Sequence, residues 1–313
     1  MVEMEDTQIK QVSPFGQLAF IMLLSMFSGM VFSFLGAELI KILFGIQLFG
    51  EDMSLLQNPN FEHIRSLNLI LIFCQHLGAF ILPAVIFWQR MSRRNIHYFT
   101  FSKPNTTMLW LGVGAMVAAI PTIGMLAGWN ESFTLPAGME ELEKSLRSLE
   151  NAATQVTETV LFTNSIGGLL VNILFIALIP ALGEELLFRG IIQQIFGKWS
   201  QNPHLGIWLA AALFSALHMQ FYGFVPRFLL GGMLGYLFWF SGSIWVPIAA
   251  HFANNAIAII LTYFIHNEVF SESLASYGSN TEDWLGVLIS LILVASCLFY
   301  MAKNKMKQIP ENI

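Results

Sequence analysis

Residues 180–189 read Pro-Ala-Leu-Gly-Glu-Glu-Leu-Leu-Phe-Arg and place two adjacent carboxylates and an arginine inside a long apolar run. An ionisable residue near the centre of a bilayer costs about 3 kcal/mol on insertion scales. Such residues in membrane helices pair with one another or line a functional site. The stretch therefore predicts a membrane-spanning helix that contains a polar site.

The composition assigns the chain to a class of protein before any motif is considered. Hydrophobic residues make up 55% of the 313 residues, charged residues make up 11%, and the mean hydropathy is +0.63. Such values indicate an all-α polytopic membrane protein rather than a soluble domain. The formal net charge of −5 argues against a nucleic-acid partner. Cys74 and Cys297 each lie in an apolar run, so the sequence predicts neither a disulfide framework nor a thiolate metal site.

Apolar stretches long enough to cross a bilayer divide the chain into about eight predicted transmembrane helices. One span needs about 20 residues, so eight spans and their loops use most of the chain. We therefore predict a single membrane domain over residues 1–313. The predicted spans are 15–36, 68–88, 108–128, 163–196, 204–221, 226–241, 243–265 and 284–302.

Lysine and arginine residues collect on one side of the predicted spans, and this asymmetry sets the orientation. They follow the second, fourth and eighth spans, whereas the loops on the opposite side are acidic. We therefore expect both termini on the cytoplasmic side of a bacterial inner membrane, with membrane lipid around the bundle. The basic residues concerned are Arg90, Arg93, Arg94, Lys103, Lys198, Lys303, Lys305 and Lys307.

The segment 136–158 predicts an amphipathic helix outside the membrane. Leu142, Leu146 and Leu149 recur at helical spacing among glutamate and lysine residues. Two interpretations are open for this helix: a solvated linker, or a cover over the polar site.

Helix geometry gives the two adjacent glutamates different partners. Residues four apart share a helix face, whereas neighbours point about 100° apart, so Glu185 is placed to pair with Arg189 and Glu184 is not. Glu184 is therefore left free for chemistry. Pro180 cannot donate to the carbonyl of Ile176, which predicts a distorted helix beside Glu184. The alternative is a Glu-Glu-Arg network that only locks helices together.

Two histidines in later apolar segments lie at a depth comparable to that of Glu184. With ~1.5 Å of rise per residue, Glu184 and His218 are each about 21 Å, and His251 about 12 Å, from the cytoplasmic ends of their spans. Phe214 shares a helix face with His218, and Asn255 shares one with His251. We therefore predict that these side chains converge on one pocket.

A further histidine, in the second predicted span, is assigned differently. His76 has no polar motif beside it on its own helix. A lone histidine in an apolar helix is usually a hydrogen-bonded core residue. We therefore interpret His76 as part of the core and place it outside the predicted site.

A carboxylate, two imidazoles and a carboxamide in one membrane pocket are suited to hydrolysis of an amide bond. Glu184 and a histidine can position and deprotonate a water, while a second histidine and an asparagine donate hydrogen bonds to the developing oxyanion. Glu184, His218 and His251 are equally the ligand set of a catalytic divalent metal such as zinc. The residues alone leave the metal-free and the metal-bound water both open.

Two other classes of intramembrane hydrolase are excluded by residues that the sequence lacks. The chain contains no His-Glu-x-x-His segment, which zinc proteases carry on a helix. Its three aspartates, Asp6, Asp52 and Asp283, all lie outside the predicted spans. An intramembrane aspartyl dyad is therefore excluded.

Three short motifs follow one another on successive polar-bearing spans, namely Glu184-Glu185-x-x-x-Arg189, Phe214-x-x-x-His218 and His251-x-x-x-Asn255. The ordered set resembles the CPBP family of intramembrane proteases, which includes the CAAX prenyl proteases and bacterial relatives in bacteriocin processing and immunity. The motif-bearing core covers about residues 160–266. The flanking spans match the family only in being apolar.

The resemblance implies an eight-helix, all-α membrane fold whose site opens toward the cytoplasm. Members of the family are regarded both as metalloproteases and as metal-independent glutamate proteases, so the resemblance leaves the metal open. The implied roles are water activation by Glu184 and His218, oxyanion binding by His251 and Asn255, and support by Glu185, Arg189 and Phe214.

The leading hypothesis is an intramembrane endopeptidase that hydrolyses a membrane-associated peptide or protein near the cytoplasmic face. A non-catalytic bacteriocin-immunity or membrane-scaffold protein is the alternative from a different class. A proton-coupled transporter, with the glutamate and histidines as a relay, is disfavoured because the sequence shows neither paired broken helices nor inverted halves.

Overall fold

The computed structural model describes residues 12–58, 60–92, 101–274 and 276–305, and the regular elements within these ranges are all helical. This confirms the predicted all-α class. Arg93, Arg94 and Lys307, which contribute to the predicted orientation, lie outside the described residues. The cytoplasmic location of both termini stays a prediction.

Thirteen α-helices are present in the described residues, several of them joined end to end within one span. They are α1 (Pro14–Phe44), α2 (Ile64–His76), α3 (Leu82–Ser92), α4 (Thr106–Ala118), α5 (Ile120–Glu131), α6 (Glu140–Leu161), α7 (Ile166–Asn172), α8 (Ile179–Leu187), α9 (Gln193–Ser200), α10 (Pro203–Ala216), α11 (Phe224–Ser241), α12 (Trp245–His266) and α13 (Trp284–Lys303).

Six helical stretches of the described chain are long and apolar enough to cross a membrane. A seventh is obtained if α4 and α5 count as one span, although they meet at an angle of 42°. The bend coincides with Pro121 at the start of α5, since proline lacks the N–H that would continue the helix. The fifth predicted span corresponds to α10, which has only 14 residues. The predicted number of about eight is reached when the bent pair and this short helix are both included.

The span that carries the two glutamates runs from Ile166 to Ser200 and consists of α7, α8 and α9 joined by two π-helical turns. The first turn, Ile173–Leu178, ends immediately before α8, whose second residue is Pro180. The distortion predicted from Pro180 is therefore present. The second turn, Phe188–Ile192, directly follows the glutamates. Such turns rotate the side chains that follow and occur frequently at functional sites.

This span forms the centre of the bundle. All residues from 183 to 193 are buried. Two polar side chains of the span bind backbone carbonyls of α11: Arg189 NH2 donates to Gly231 O at 2.9 Å, and Gln193 Nε2 donates to Gly235 O at 3.2 Å. The glycines also permit close packing of α10 against α11, because a Cβ at Gly231 would lie 3.1 Å from the Cβ of Ala211. The polar segment is thus held by its neighbours rather than exposed to lipid.

The second span approaches the central helix closely. It consists of α2 and α3 joined by a π-helical turn, Leu77–Ile81. A Cβ at Gly183 would lie 3.0 Å from Ile81 Cγ1 and 3.1 Å from Phe80 Cβ, so the glycine before Glu184 permits this approach. Ser28 Oγ of α1 donates to Gly78 O at 2.5 Å and so binds a carbonyl of the turn. The second span is therefore fixed on both sides.

Helix α6 overlaps the segment 136–158 that was predicted to be amphipathic. It begins at Glu140, ends at Leu161 and is not among the helices apolar enough to span a membrane. Its location outside the membrane stays a prediction.

Candidate active site

Glu184 is the centre of a cluster of polar side chains inside the bundle. It is 7% exposed, and each of its carboxylate oxygens faces an imidazole nitrogen. Oε1 lies 3.4 Å from His76 Nε2, and Oε2 lies 3.8 Å from His251 Nε2. The second distance is too long for a direct hydrogen bond, but one water could bridge both atoms. The predicted convergence of Glu184 and His251 is therefore present in the structure.

Glu185 orients His251. Its Oε1 atom accepts a hydrogen bond from His251 Nδ1 at 2.8 Å and another from Arg189 Nη1 at 2.7 Å. The partnership with Arg189 is the one that the four-residue spacing predicts. Because Nδ1 of His251 is bound to this carboxylate, Nε2 is the ring nitrogen left for Glu184 or a substrate. Glu185 itself is fully buried.

Phe214 contacts both histidines of the predicted site. Its ring lies edge-on to that of His218 at 4.9 Å and edge-on to that of His251 at 6.2 Å, and the Arg189 guanidinium lies 5.1 Å from its centre. The carbonyl of Phe214 also binds His218 Nδ1 at 2.8 Å. The phenylalanine ring thus packs against Arg189 and both imidazoles, and its backbone carbonyl holds His218. The supporting role that the resemblance implies for Phe214 stays a prediction.

His218 lies on the open side of the cluster. It is exposed, whereas His251 is buried and His76 is mostly enclosed. The ring is connected to the cluster through Phe214, which packs against both His218 and His251. His218 follows the C-terminal end of the short helix α10.

Asn255 lies one helical turn after His251 on α12. Its Oδ1 atom accepts a hydrogen bond from Asn254 Nδ2 at 3.2 Å, which orients the carboxamide so that its own NH2 group is available as a donor. Asn255 is half-buried. It is placed on the same helix face as His251, as its spacing predicts.

His76 lies against the site, which corrects the interpretation of it as a core residue outside the pocket. Its Nε2 atom contacts Glu184 Oε1 across 108 residues of sequence, and its Nδ1 atom contacts Ile72 O at 2.8 Å. The ring stacks on Phe80 with centroids 5.3 Å apart. The signal that could have identified it is the ionisable side chain itself, since such groups in membrane spans are usually functional.

Helix α6 is tied to the segment that follows His218. Glu150 of α6 accepts hydrogen bonds from Gln220 Nε2 at 3.2 Å and from the backbone N–H of Tyr222 at 3.1 Å. Gln220 Oε1 in turn accepts from Arg227 NH2 at 2.7 Å. These contacts favour the interpretation of α6 as a cover over this end of the site rather than a free linker.

A resident divalent metal would need three protein donors around one point. The donor types are suitable, since Glu184, His218 and His251 are common zinc ligands and both rings have Nδ1 bound to an oxygen. Among the residues that the structure describes, however, no three His, Cys, Asp or Glu side chains are grouped so that they could hold one ion. The arrangement does not fit a resident metal, so we derive the chemistry from the side chains.

Comparison with known proteins gives one family and a small set of relatives. Residues 166–257, which contain all three motifs, match the family model of the type II CAAX prenyl endopeptidase Rce1-like proteins. "Uncharacterized protein YpbD" of Bacillus subtilis (strain 168) is 31% identical over 99 residues, which cover 30% of this chain and 48% of YpbD. "Uncharacterized protein YyaK" of the same organism is 28% identical over 155 residues, which cover 45% of this chain and 51% of YyaK. The chain thus spans about half the length of these curated relatives, and no solved structure matches it. The family match confirms the resemblance identified from the motifs.

Proposed function

We propose, from the premise that residues 166–257 are an Rce1-like domain, that this integral membrane protein is an intramembrane endopeptidase. Its substrate would be a membrane-associated peptide or protein. The observation that carries the proposal is the placement of Glu184, a buried carboxylate with one oxygen against His76 and the other 3.8 Å from His251 Nε2. A water that lies beside these two atoms and hydrogen-bonds to both would be held next to a base.

The proposed reaction is direct attack of this water on the substrate carbonyl. Glu184 accepts a proton as the water oxygen bonds to the carbonyl carbon, and it returns the proton to the amine nitrogen when the C–N bond breaks. His218, whose Nδ1 donates to a neutral carbonyl, presents an Nε2 lone pair that accepts a hydrogen bond from the water. Both hydrogen-bonding groups would orient the nucleophile before attack.

His251 and Asn255 would stabilise the oxyanion of the tetrahedral intermediate. The carboxylate of Glu185 on His251 Nδ1 stabilises positive charge on the ring, so that Nε2–H can donate to the developing negative charge. The carboxamide NH2 of Asn255 supplies a second donor. Glu185 and Arg189 hold this half of the site and take no part in proton transfer.

The cleavage reaction itself is the first test. The detergent-purified protein is incubated with a library of synthetic transmembrane and juxtamembrane peptides, and products are identified by mass spectrometry. We expect cleavage at defined peptide bonds, and we expect His218→Ala to lower the rate about 100-fold because a hydrogen-bonding group on the water is lost.

The matched control for this test is His204→Ala, which removes an exposed histidine from the other end of α10 that binds Tyr236. This variant should keep the parent rate. Unchanged cleavage in His218→Ala would contradict the proposed role of His218. Absence of cleavage by the parent, with retained binding to a partner protein in both variants, would instead favour the non-catalytic alternative.

Metal removal tests whether the side chains cleave the peptide bond without a metal ion. We expect cleavage to persist at the parent rate after dialysis against EDTA and in the presence of 1,10-phenanthroline, because the described residues group no three donors for one ion. Elemental analysis of the purified protein provides the independent measurement. One zinc per chain, together with activity lost in chelator and restored by zinc, would overturn the metal-free mechanism.

A further inference from the structure

We infer that His76 is a positioning residue of the active site and that the second membrane span therefore belongs to the catalytic unit. The inference rests on the proposed function, because it assigns to His76 the task of holding Glu184 for the attack on a peptide bond. His76 lies outside residues 166–257 and outside the three motifs. Its contribution is thus additional to the matched domain.

The two ring nitrogens of His76 both face oxygen acceptors. Nδ1 lies 2.8 Å from the carbonyl oxygen of Ile72, and Nε2 lies 3.4 Å from Glu184 Oε1. A carbonyl and a carboxylate both accept hydrogen bonds, so the ring makes the two contacts as the doubly protonated imidazolium, which donates from each nitrogen. The backbone contact fixes the imidazole, and the imidazole then fixes one oxygen of the carboxylate.

This contact leaves the other carboxylate oxygen for the reaction. With Oε1 held by His76, Oε2 lies on the side of His251, 3.8 Å from its Nε2 atom. A glutamate has three rotatable bonds, and fixing one oxygen removes most of that freedom before the substrate binds. His76 would therefore raise the fraction of molecules in which the base is correctly placed.

Contacts with the surrounding helices hold His76 in this position. The residue ends α2, and the π-helical turn Leu77–Ile81 begins immediately after it. Phe80, in that turn, stacks on the imidazole, and Gly183 lets the turn pack directly beside Glu184. Ser28 of α1 binds the turn from the opposite side. These contacts set the position of the ring through backbone and packing rather than through flexible side chains.

Two substitutions of His76 distinguish a role in positioning Glu184 from a role in packing against Phe80. His76→Gln keeps an N–H donor near the position of Nε2 but loses the ring, whereas His76→Phe keeps the ring that stacks on Phe80 but loses both donors. We measure kcat and KM on a peptide that the parent cleaves, together with the melting temperature of each variant. We expect His76→Phe to lower kcat about 100-fold with KM unchanged, and His76→Gln to recover most of that loss.

A control variant shows whether the effect on kcat is specific to His76. His63→Phe, at the beginning of α2, should keep the parent kcat. Parent-like kcat in His76→Phe, or a loss in His76→Gln at least as large as in His76→Phe, would overturn the positioning role. Glu184→Gln is measured in parallel: if it keeps full activity the proposed function fails, whereas if it is inactive and His76→Phe is fully active only the present inference fails.

Discussion

Replacing Glu184 by glutamine is expected to reduce peptide cleavage about 10⁴-fold while the protein remains folded. Glutamine has the shape of glutamate and retains a carbonyl oxygen for the contact with His76, but it cannot take a proton from water. The carboxylate is not the partner of the buried arginine, which stays paired with Glu185. His76 can lose its proton when Glu184 is neutralised, so no buried charge has to remain without a partner. Single-turnover cleavage of a library peptide and thermal unfolding in the same detergent measure the two effects.

The control for this prediction is Glu38→Gln, which makes the same chemical change at an exposed position of α1 near Lys41. It should retain both the parent rate and the parent melting temperature. Cleavage by Glu184→Gln at the parent rate would show that another group is the base. A melting temperature lowered as far as in variants of Glu185 would show that Glu184 is part of a structural network, the alternative that the sequence leaves open.

Local spacing was sufficient to predict the contacts made within one helix. The pairing of Glu185 with Arg189 and the contact of Phe214 with His218 both follow from residues four apart on a helix. The distortion near Pro180 follows from the missing N–H of proline in the same way. Each of these depends on covalent geometry that the neighbouring residues cannot change.

The contact between His76 and Glu184 could not be predicted by that reasoning. The two residues lie on different spans 108 positions apart, and their approach depends on how the second span packs beside Gly183. The turn that follows His76 is a π-helix, which has no sequence signature as clear as that of proline. A span that carries one histidine therefore looks like an ordinary apolar helix until its neighbours are known.

Counting residues from the span ends predicts similar depths for Glu184, His218 and His251, but it does not specify which ring faces the carboxylate. In the structure His251 is the nearer of the two predicted histidines, and it is directed there by Glu185. Side-chain partners on another helix decide the tautomer and the ring orientation. Depth along a span predicts that groups can meet, whereas the division of roles depends on these partners.

Replacing Glu185 by glutamine, in contrast to the same change at Glu184, is expected to lower the free energy of unfolding by about 3–5 kcal/mol. Glu185 is fully buried, and Arg189, which is 1% exposed, has this carboxylate as its charged partner. Glu185→Gln leaves a guanidinium inside the bundle without a compensating charge, and removing one member of a buried ion pair is more costly than removing both. Thermal unfolding should therefore show a larger loss for Glu185→Gln than for Glu184→Gln.

The double variant Glu185→Gln/Arg189→Met distinguishes the buried charge from other causes of this loss. If the unpaired guanidinium is responsible, the second substitution removes it and restores much of the stability, and a double-mutant cycle gives the coupling energy between the two residues. Activity should not return, because His251 Nδ1 still lacks its carboxylate partner. A double variant as unstable as Glu185→Gln would contradict the ion-pair explanation. Recovery of stability without recovery of cleavage would separate the structural glutamate, which holds Arg189 and orients His251, from Glu184, to which we assign the proton transfer.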